Sequence, residues 1–323
     1  QGEGDSPHRL TFNGFVQPRF SFFSDEAGDD RVNRHNFSIP IARLGLRGTV
    51  HDKRVYFKSQ IGLERGRVVL MDFFVDYRVG EGKMRIRAGQ FRKPFSRQNL
   101  TGAARQEFVG RSIVDSDFAA GRDIGLEVHQ GFVDGDELEW ALGVFNGNSA
   151  EPVFQPEVAV DPMTMEEQVV GGTTSNIPTK VRPVLVARIG HNANGIKGYS
   201  EADLEGGDLR YAIALASQTY FHLGGNAAQS RNGVDFVFKQ DGVSATGGIY
   251  ADMAGPKVGD LEYTGVAGYI QTGYVVDKKY QPALRYAVIT EKGGNSVQEI
   301  SGVFNVYKFG HNLKWQNEAT LLN

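Results

Sequence analysis

The sequence predicts an all-β protein, a transmembrane up-and-down antiparallel β-barrel. Three observations carry this. A hydrophobic period of two runs through almost all of the 323 residues, the connections alternate between short and long, and arginines occupy strand faces where a soluble sheet would keep its core. Apolar residues make up 40%, aromatics 11%, and there are 41 glycines, a strand-and-turn composition rather than one of long helices. No window holds the roughly 18 apolar residues of a membrane helix, but a strand crosses a bilayer with about 9–11 alternating residues.

The strands follow in order. Leu10, Phe12, Val16, Phe20 and Phe22 alternate with Thr11, Asn13, Gln17, Arg19 and Ser21. Ala42, Leu44, Leu46 and Val50 oppose Arg43, Gly45 and Arg47. Val55, Phe57, Ile61 and Leu63 oppose Arg54, Tyr56, Lys58, Gln60 and Glu64. Phe73, Val75 and Tyr77 oppose Asp72, Asp76 and Arg78, and Met84, Ile86 and Ala88 oppose Arg85, Arg87 and Gly89. Leu138, Trp140, Leu142 and Val144 face away from Glu139, Ala141 and Gly143. Near the end, Ile300, Phe304 and Val306 oppose Glu299, Ser301 and Asn305, and Leu313, Trp315, Ala319 and Leu321 oppose Lys314, Gln316, Glu318 and Thr320. The count is about fifteen strands.

Tight connections fall near 51–53, 79–83, 240–242, 277–279 and 309–310, and longer ones at 24–35, 91–122, 147–182, 219–231 and 253–260. Residues 191–207 break the pattern as a long connection on the tight side, and 64–67 as a tight one on the long side. A meander of this size leaves exposed edges unless it closes, which favours a single barrel over residues 1–323. Strand parity predicts sixteen strands, the last one absent from the given chain. Two packed sheets would also alternate, with polar faces outward. Phe22, Tyr77, Trp140, Tyr274 and Trp315 lie toward the ends of apolar faces, as an interfacial girdle does, and favour the barrel.

The stretch RAGQFRKPFSRQNLTGAARQEFVGRSI, with AAGRDIGLEV after it, resembles the phosphate-selective porin O and P family of bacterial outer membranes. There a strand ending Gly-Gln-Phe-Lys-x-Pro-Phe leads into a loop ending Phe-Val-Asp-Arg-Ser and Pro-Gly-Arg-Asp-Ile-Gly. WALGVFNGNS, GYIQTGYVV, LRYAVI and FNVYKFGHNLKWQNE are similar to later strands of the same family. The resemblance implies a sixteen-stranded barrel in the outer membrane of a Gram-negative cell, usually a homotrimer embedded in outer-membrane lipid. It implies a pore-constricting loop, here 91–122, and passive diffusion of small hydrophilic solutes. Gly110 departs from the family, which often has Asp there, and the arginine ladder of the phosphate channels does not map onto this chain residue by residue.

With polar faces turned to a lumen, the expected pore-lining cations are Arg19, Arg43, Arg47, Arg54, Lys58, Arg78, Arg85 and Arg87, joined from the loop by Arg92, Lys93, Arg97, Arg105, Arg111 and Arg122. Such a strip favours anions, phosphate or carboxylates, because a low-dielectric constriction focuses its field and guanidinium donors suit oxyanions. Each of these side chains has the alternative role of pairing with a carboxylate to brace the wall. The expected opposing acidic lining is Asp72, Asp76, Glu127, Asp235 and Glu299, with Glu139, Asp252 and Glu318 among further wall charges. The external loop 147–182 carries Glu151, Glu157, Asp161, Glu166 and Glu167. Thr101 is a candidate cap for a helix from Ala103 to Val109, with Phe108 and Val109 anchoring it to the wall.

Net charge is −3, so nothing argues for nucleic acid, and the chain has no cysteine. Its histidines lack metal-binding spacing and no nucleophile elbow or phosphate-cradling loop is present, so neither catalysis nor a cofactor or metal is expected. Two other functions remain open at this point. One is a plugged barrel with a structural or adhesive role through its external loops; the other is a soluble glycan-binding β-sandwich.

Overall fold

The computed structural model describes residues 8–27, 30–51, 53–64, 66–118, 120–131, 136–147, 153–160, 167–175, 182–196, 198–221 and 228–323. The strands are β1 (Arg9–Ala27), β2 (Asp30–Val50), β3 (Val55–Glu64), β4 (Arg67–Arg78), β5 (Arg85–Arg92), β6 (Arg122–Gln130) and β7 (Leu138–Phe145). After the hairpin β8 (Val153–Val160) and β9 (Glu167–Ser175) come β10 (Val184–Ala193), β11 (Arg210–Tyr220), β12 (Ala228–Gln240) and β13 (Val243–Gly255). The chain ends with β14 (Glu262–Tyr274), β15 (Tyr280–Glu291), β16 (Ser296–Tyr307) and β17 (Lys314–Leu322). Every strand except β8 and β9 joins one 15-stranded antiparallel sheet in sequence order, with β10 following β7 directly. Among the described residues no helix is long and apolar enough to cross a membrane.

The sheet is inside out. Leu44, Phe73, Ile86, Leu142, Ile270 and Leu284 point outward and exposed, Phe73 at 60%. Asp72, Asp76, Glu127, Arg188, Asp235, Gln271, Arg285 and Glu299 are buried on the inner face. A β-sandwich would place these two sets the other way round. The sheet curls until its ends share one contact. The Val109 carbonyl accepts from Gln17 and Arg19 of β1, at 3.2 and 3.3 Å, and its N–H donates to Glu318 of β17 at 2.6 Å.

Tight turns sit where short connections are expected. Asp241 and Gly242 both take positive φ (46° and 87°), the left-handed pair that a two-residue hairpin requires. At Gly242 a Cβ would also stand 2.6 Å from the Val275 carbonyl oxygen, so only glycine fits.

The long connections are shorter than expected at 24–35 and 219–231, because the strands run on through them, with 28–29 and 222–227 outside the described residues. At 253–260, β13 continues to Gly255 before the connection begins. Beyond the wall a hairpin is held by its backbone ladder and is wet on both faces, so it needs no apolar alternation to announce it. The β1–β2 ribbon stands clear of β3, whose pairing with β2 begins at Arg43, and Phe20 and Phe37 pack across it at 4.9 Å. Within 147–182 the described residues include β8 and β9, which pair as a hairpin; Glu151, Asp161 and Glu166 lie outside the described residues.

Candidate functional site

The 93–121 connection folds into the barrel, and its local sequence sets its path. Ser96 caps the short helix α1 (Arg97–Leu100), its hydroxyl accepting from the Asn99 N–H at 3.0 Å. The carbonyls of Asn99, Leu100 and Thr101 at the other end all accept from Arg92 Nη1, at 2.7, 3.0 and 3.1 Å. A cation is favourable there because those carbonyls lack helical partners. Thr101 therefore closes a helix and does not open one, contrary to expectation. Only a 3-10 turn forms at Ala103–Arg105, and the regular helix α2 comes later, at Ile113–Phe118. From Gln106 to Val109 the backbone groups bond side chains of the wall and of Glu201, which a helix would forbid.

Under the loop lies a set of buried charges. Arg188 forms two hydrogen bonds to Asp235, at 2.7 and 2.8 Å, and a third to the Phe95 carbonyl at 2.9 Å. The same Asp235 accepts from the Arg97 N–H at 3.0 Å. Glu299 accepts from Arg285 Nε at 2.5 Å and from the Ile113 N–H at 2.8 Å. Arg285 also reaches the Gly110 carbonyl at 3.0 Å and lies 4.2 Å over the Phe108 ring, which packs against Ala283 and Val303. Asp235 and Glu299 thus do not line an aqueous wall as expected: fully desolvated, they must be paired, and they hold the loop. An apolar core fills the rest of this seam, with Phe91, Phe95, Val114, Phe118, Tyr250 and Ile289 at its centre.

On the opposite side, toward β2–β6, the ion pairs keep one partner partly exposed. Asp72 accepts from Lys58 at 2.6 Å and Arg122 at 2.7 Å; the Lys58 side chain is 31% exposed and that of Asp72 4%. Arg111 pairs with Asp115 at 3.3 Å, 27% exposed against 5%. Arg43 holds Glu64 at 2.8 Å, and here the carboxylate is the more exposed partner. Arg92 sits among Arg122, Arg111 and Arg43. Outside the strands, burial pushes the Asp115 carboxyl up, against the pull of Arg111 and Ser96.

The other expected residues divide by environment. Arg85 and Arg87 converge on Asp76 at 3.6 and 2.9 Å, and Arg87 also reaches Glu127 at 3.1 Å. Arg87 stacks 4.7 Å over Phe74, and His129 approaches Asp76 at 3.1 Å, so this group is a packed brace. Asp76 and Glu127 lie buried beneath those arginines, and Asp72 beneath Lys58 and Arg122, rather than forming an acidic wall. Lys93 is buried too, 3.7 Å from Asp123 and within 3.3 Å of the Tyr220 hydroxyl. Arg19 reaches the loop carbonyl described above. Arg47 and Arg105 are exposed. Among the described residues no group of three or more His, Asp or Glu is arranged to hold a metal ion.

Sequence reasoning missed Glu107 and Glu201, which meet inside the barrel. The Glu107 N–H donates to Glu201 Oε2 at 2.7 Å. Burial first and Glu201 second push the Glu107 carboxyl up to about 7. The available signal was the length of 191–207, too long for its end of the barrel.

The family model for phosphate-selective porins O and P matches residues 16–312. No match is found among the curated proteins. Among solved structures, the chain is similar to an anion-selective porin from Comamonas acidovorans, with 13% identity, TM-score 0.61, and 98% of this chain and 89% of that one covered. It is similar to the outer membrane channel DcaP of Acinetobacter baumannii at 13% identity and TM-score 0.60, covering 99% and 92%. Salmonella typhi OmpF in complex with daunomycin matches at 12% identity and TM-score 0.61, covering 98% and 92%. At these identities the likeness is one of fold.

Proposed function

Since the chain belongs to the phosphate-selective porin O and P family, a family of bacterial outer-membrane porins, we propose that its pore passes small hydrophilic anions by diffusion through the passage between the loop and the wall of β2–β6. The observation that carries this reading is the asymmetry of ion pairs on that wall and on the loop beside it. The Lys58, Arg111 and Arg122 side chains are 31%, 27% and 15% exposed, while those of Asp72 and Asp115 are 4% and 5%. A solute at the surface meets the positive end of each pair first, and the low-dielectric wall keeps that field from being screened. The buried carboxylates moderate it, so an anion is attracted and then released, as conduction requires.

In this reading residues 91–122 set the width of the passage. Their backbone is pinned to the far wall by Asp235, Glu299 and Glu318, while Arg111 stays partly exposed beside Asp115. The family resemblance further supports a homotrimer, with the apolar outer face shared between neighbouring protomers and lipid. Liposome swelling with solutes of matched size tests the function. Faster entry of small carboxylates and phosphate than of equally sized cations supports it; equal or reversed rates refute it.

A further inference from the structure

The connection between β10 and β11, residues 194–209, leaves the end of the barrel whose turns are mostly tight, yet it folds into the interior. Ile196, Glu201, Ala202 and Asp203 are buried. Lys239 Nζ holds it through Ser200 Oγ at 2.8 Å and the Ala202 carbonyl at 2.9 Å, and the Gly242 N–H donates to Asp203 at 2.9 Å. There it meets the tip of the loop that enters from the other end. Two reciprocal bonds join them: Glu107 N–H to Glu201 Oε2 at 2.7 Å, and Glu201 N–H to the Arg105 carbonyl at 3.1 Å.

The Glu107 carboxylate continues the junction into the wall. Oε1 accepts from Gln281 Nε2 at 2.6 Å and from the Ser244 hydroxyl; Oε2 accepts from Gln271 Nε2 at 3.1 Å. Those donors are neutral, so among the described residues no cation is hydrogen-bonded to this fully buried carboxylate. Glu201 Oε1 is buried and, among the described residues, has no hydrogen-bond partner.

We propose that Glu107 and Glu201 are positioning residues for permeation: they latch the loop tip to residues 194–209, and the latch is firm when Glu107 is neutral and loosened when it is charged. This rests on the channel reading, since the passage is bounded by the loop so held. The groups facing Glu107 are Glu201 from that connection, Lys239 of β12, Tyr307 of β16 and Lys314 of β17. The two lysines are engaged with Ser200, Ala202 and Gln106, and so offset its charge only from a distance. His311 lies near Lys314, Lys239 and Arg105; burial and those cations push it down to about 4, so it stays neutral near pH 7.

The sign follows from linkage. Glu107 is raised from 4.5 to about 7, so its contribution to the folded tip is full below the ordinary glutamate value and is lost as pH rises through about 7. About one Glu107 in ten is charged at pH 6 and about nine in ten at pH 8. Single-channel recording of wild type, E107Q and E201Q at both pH values, each folded by heat-modifiable gel migration, tests the latch. Wild-type current should become several-fold noisier between pH 6 and 8, while E107Q keeps the quiet trace at both. Tryptic cleavage after the exposed Arg105 in detergent-folded protein reads the tip without requiring conduction. Wild type should be cut several-fold faster than E107Q at pH 8 and at the same rate at pH 6. Conduction with equal cleavage and a flat pH profile overturns the latch. A pH-dependent cleavage difference in a protein that does not conduct supports the latch and defeats the channel reading instead.

Discussion

Arg122 Nε lies 2.7 Å from Asp72 Oδ1, the arginine side chain 15% exposed and that of the aspartate 4%. Lys58 reaches the other oxygen of the same carboxylate at 2.6 Å. Two cations therefore share one buried anion, which leaves a surplus positive charge at this point of the inner face. The Arg111–Asp115 pair of the loop has the same ordering, 27% against 5% exposed, in a chain that carries −3 overall, whereas the Arg43–Glu64 pair is ordered the other way.

The double variant Lys58→Gln with Arg111→Gln leaves Asp72 its Arg122 and Asp115 its bond from Ser96. It should fold as wild type does. A unit charge about 7 Å from the ion path in water-like dielectric is worth about 0.6 kcal/mol, so each substitution should lower anion occupancy by about threefold. Permeability ratios from reversal potentials check this; an unchanged ratio would remove both residues from the passage.

Arg87→Ala should act on stability first. It leaves Asp76 and Glu127 buried without their shared guanidinium and strips the cation from over Phe74. Breaking a buried pair from one side costs about 3–5 kcal/mol. Urea unfolding in detergent should show a lowered midpoint, whereas the Lys58/Arg111 variant should not.

Phe108→Ala removes the ring that fills the seam between Ala283, Val303 and the Arg285 guanidinium. Large-to-small truncation of this kind costs about 3–5 kcal/mol, here taken from loop docking rather than from the strand ladder. The barrel should keep its heat-modifiable gel shift while trypsin gains access to the loop. Loss of the gel shift would mean that the ring supports the barrel itself.

On the outer face, Leu142→Arg places a charge on an exposed apolar position of β7. In lipid such a change costs about 2–4 kcal/mol near the midplane, and in water it costs almost nothing. Folding yield into vesicles should fall; an unchanged yield would argue that this face does not meet lipid.

The fold was legible because a strand's period is two and both its faces are chemically marked. Leu44 against Arg43 and Phe73 against Asp72 told inner face from outer once the lumen was assumed. Places where alternation fails marked the packed interior: Phe73 and Phe74 are consecutive, and the second points inward to meet Phe91 at 5.7 Å. The site was legible only as a set of lumen-side cations. Which of them face water depends on how the loop folds, and that is decided by contacts distant in sequence, such as Arg97 with Asp235 and Glu107 with Glu201. Asp235 and Glu299 looked like wall carboxylates because their role as anchors is set by loop backbone that carries no residue-specific signal.

Reversal potential in a planar bilayer under a salt gradient tests the central claim most directly, because it reads the sign of the charge that water meets inside the barrel. The inside-out barrel with cation-capped pairs predicts discrete conducting steps and a potential on the anion side of zero. A potential on the cation side, or a folded barrel that never conducts, would contradict it.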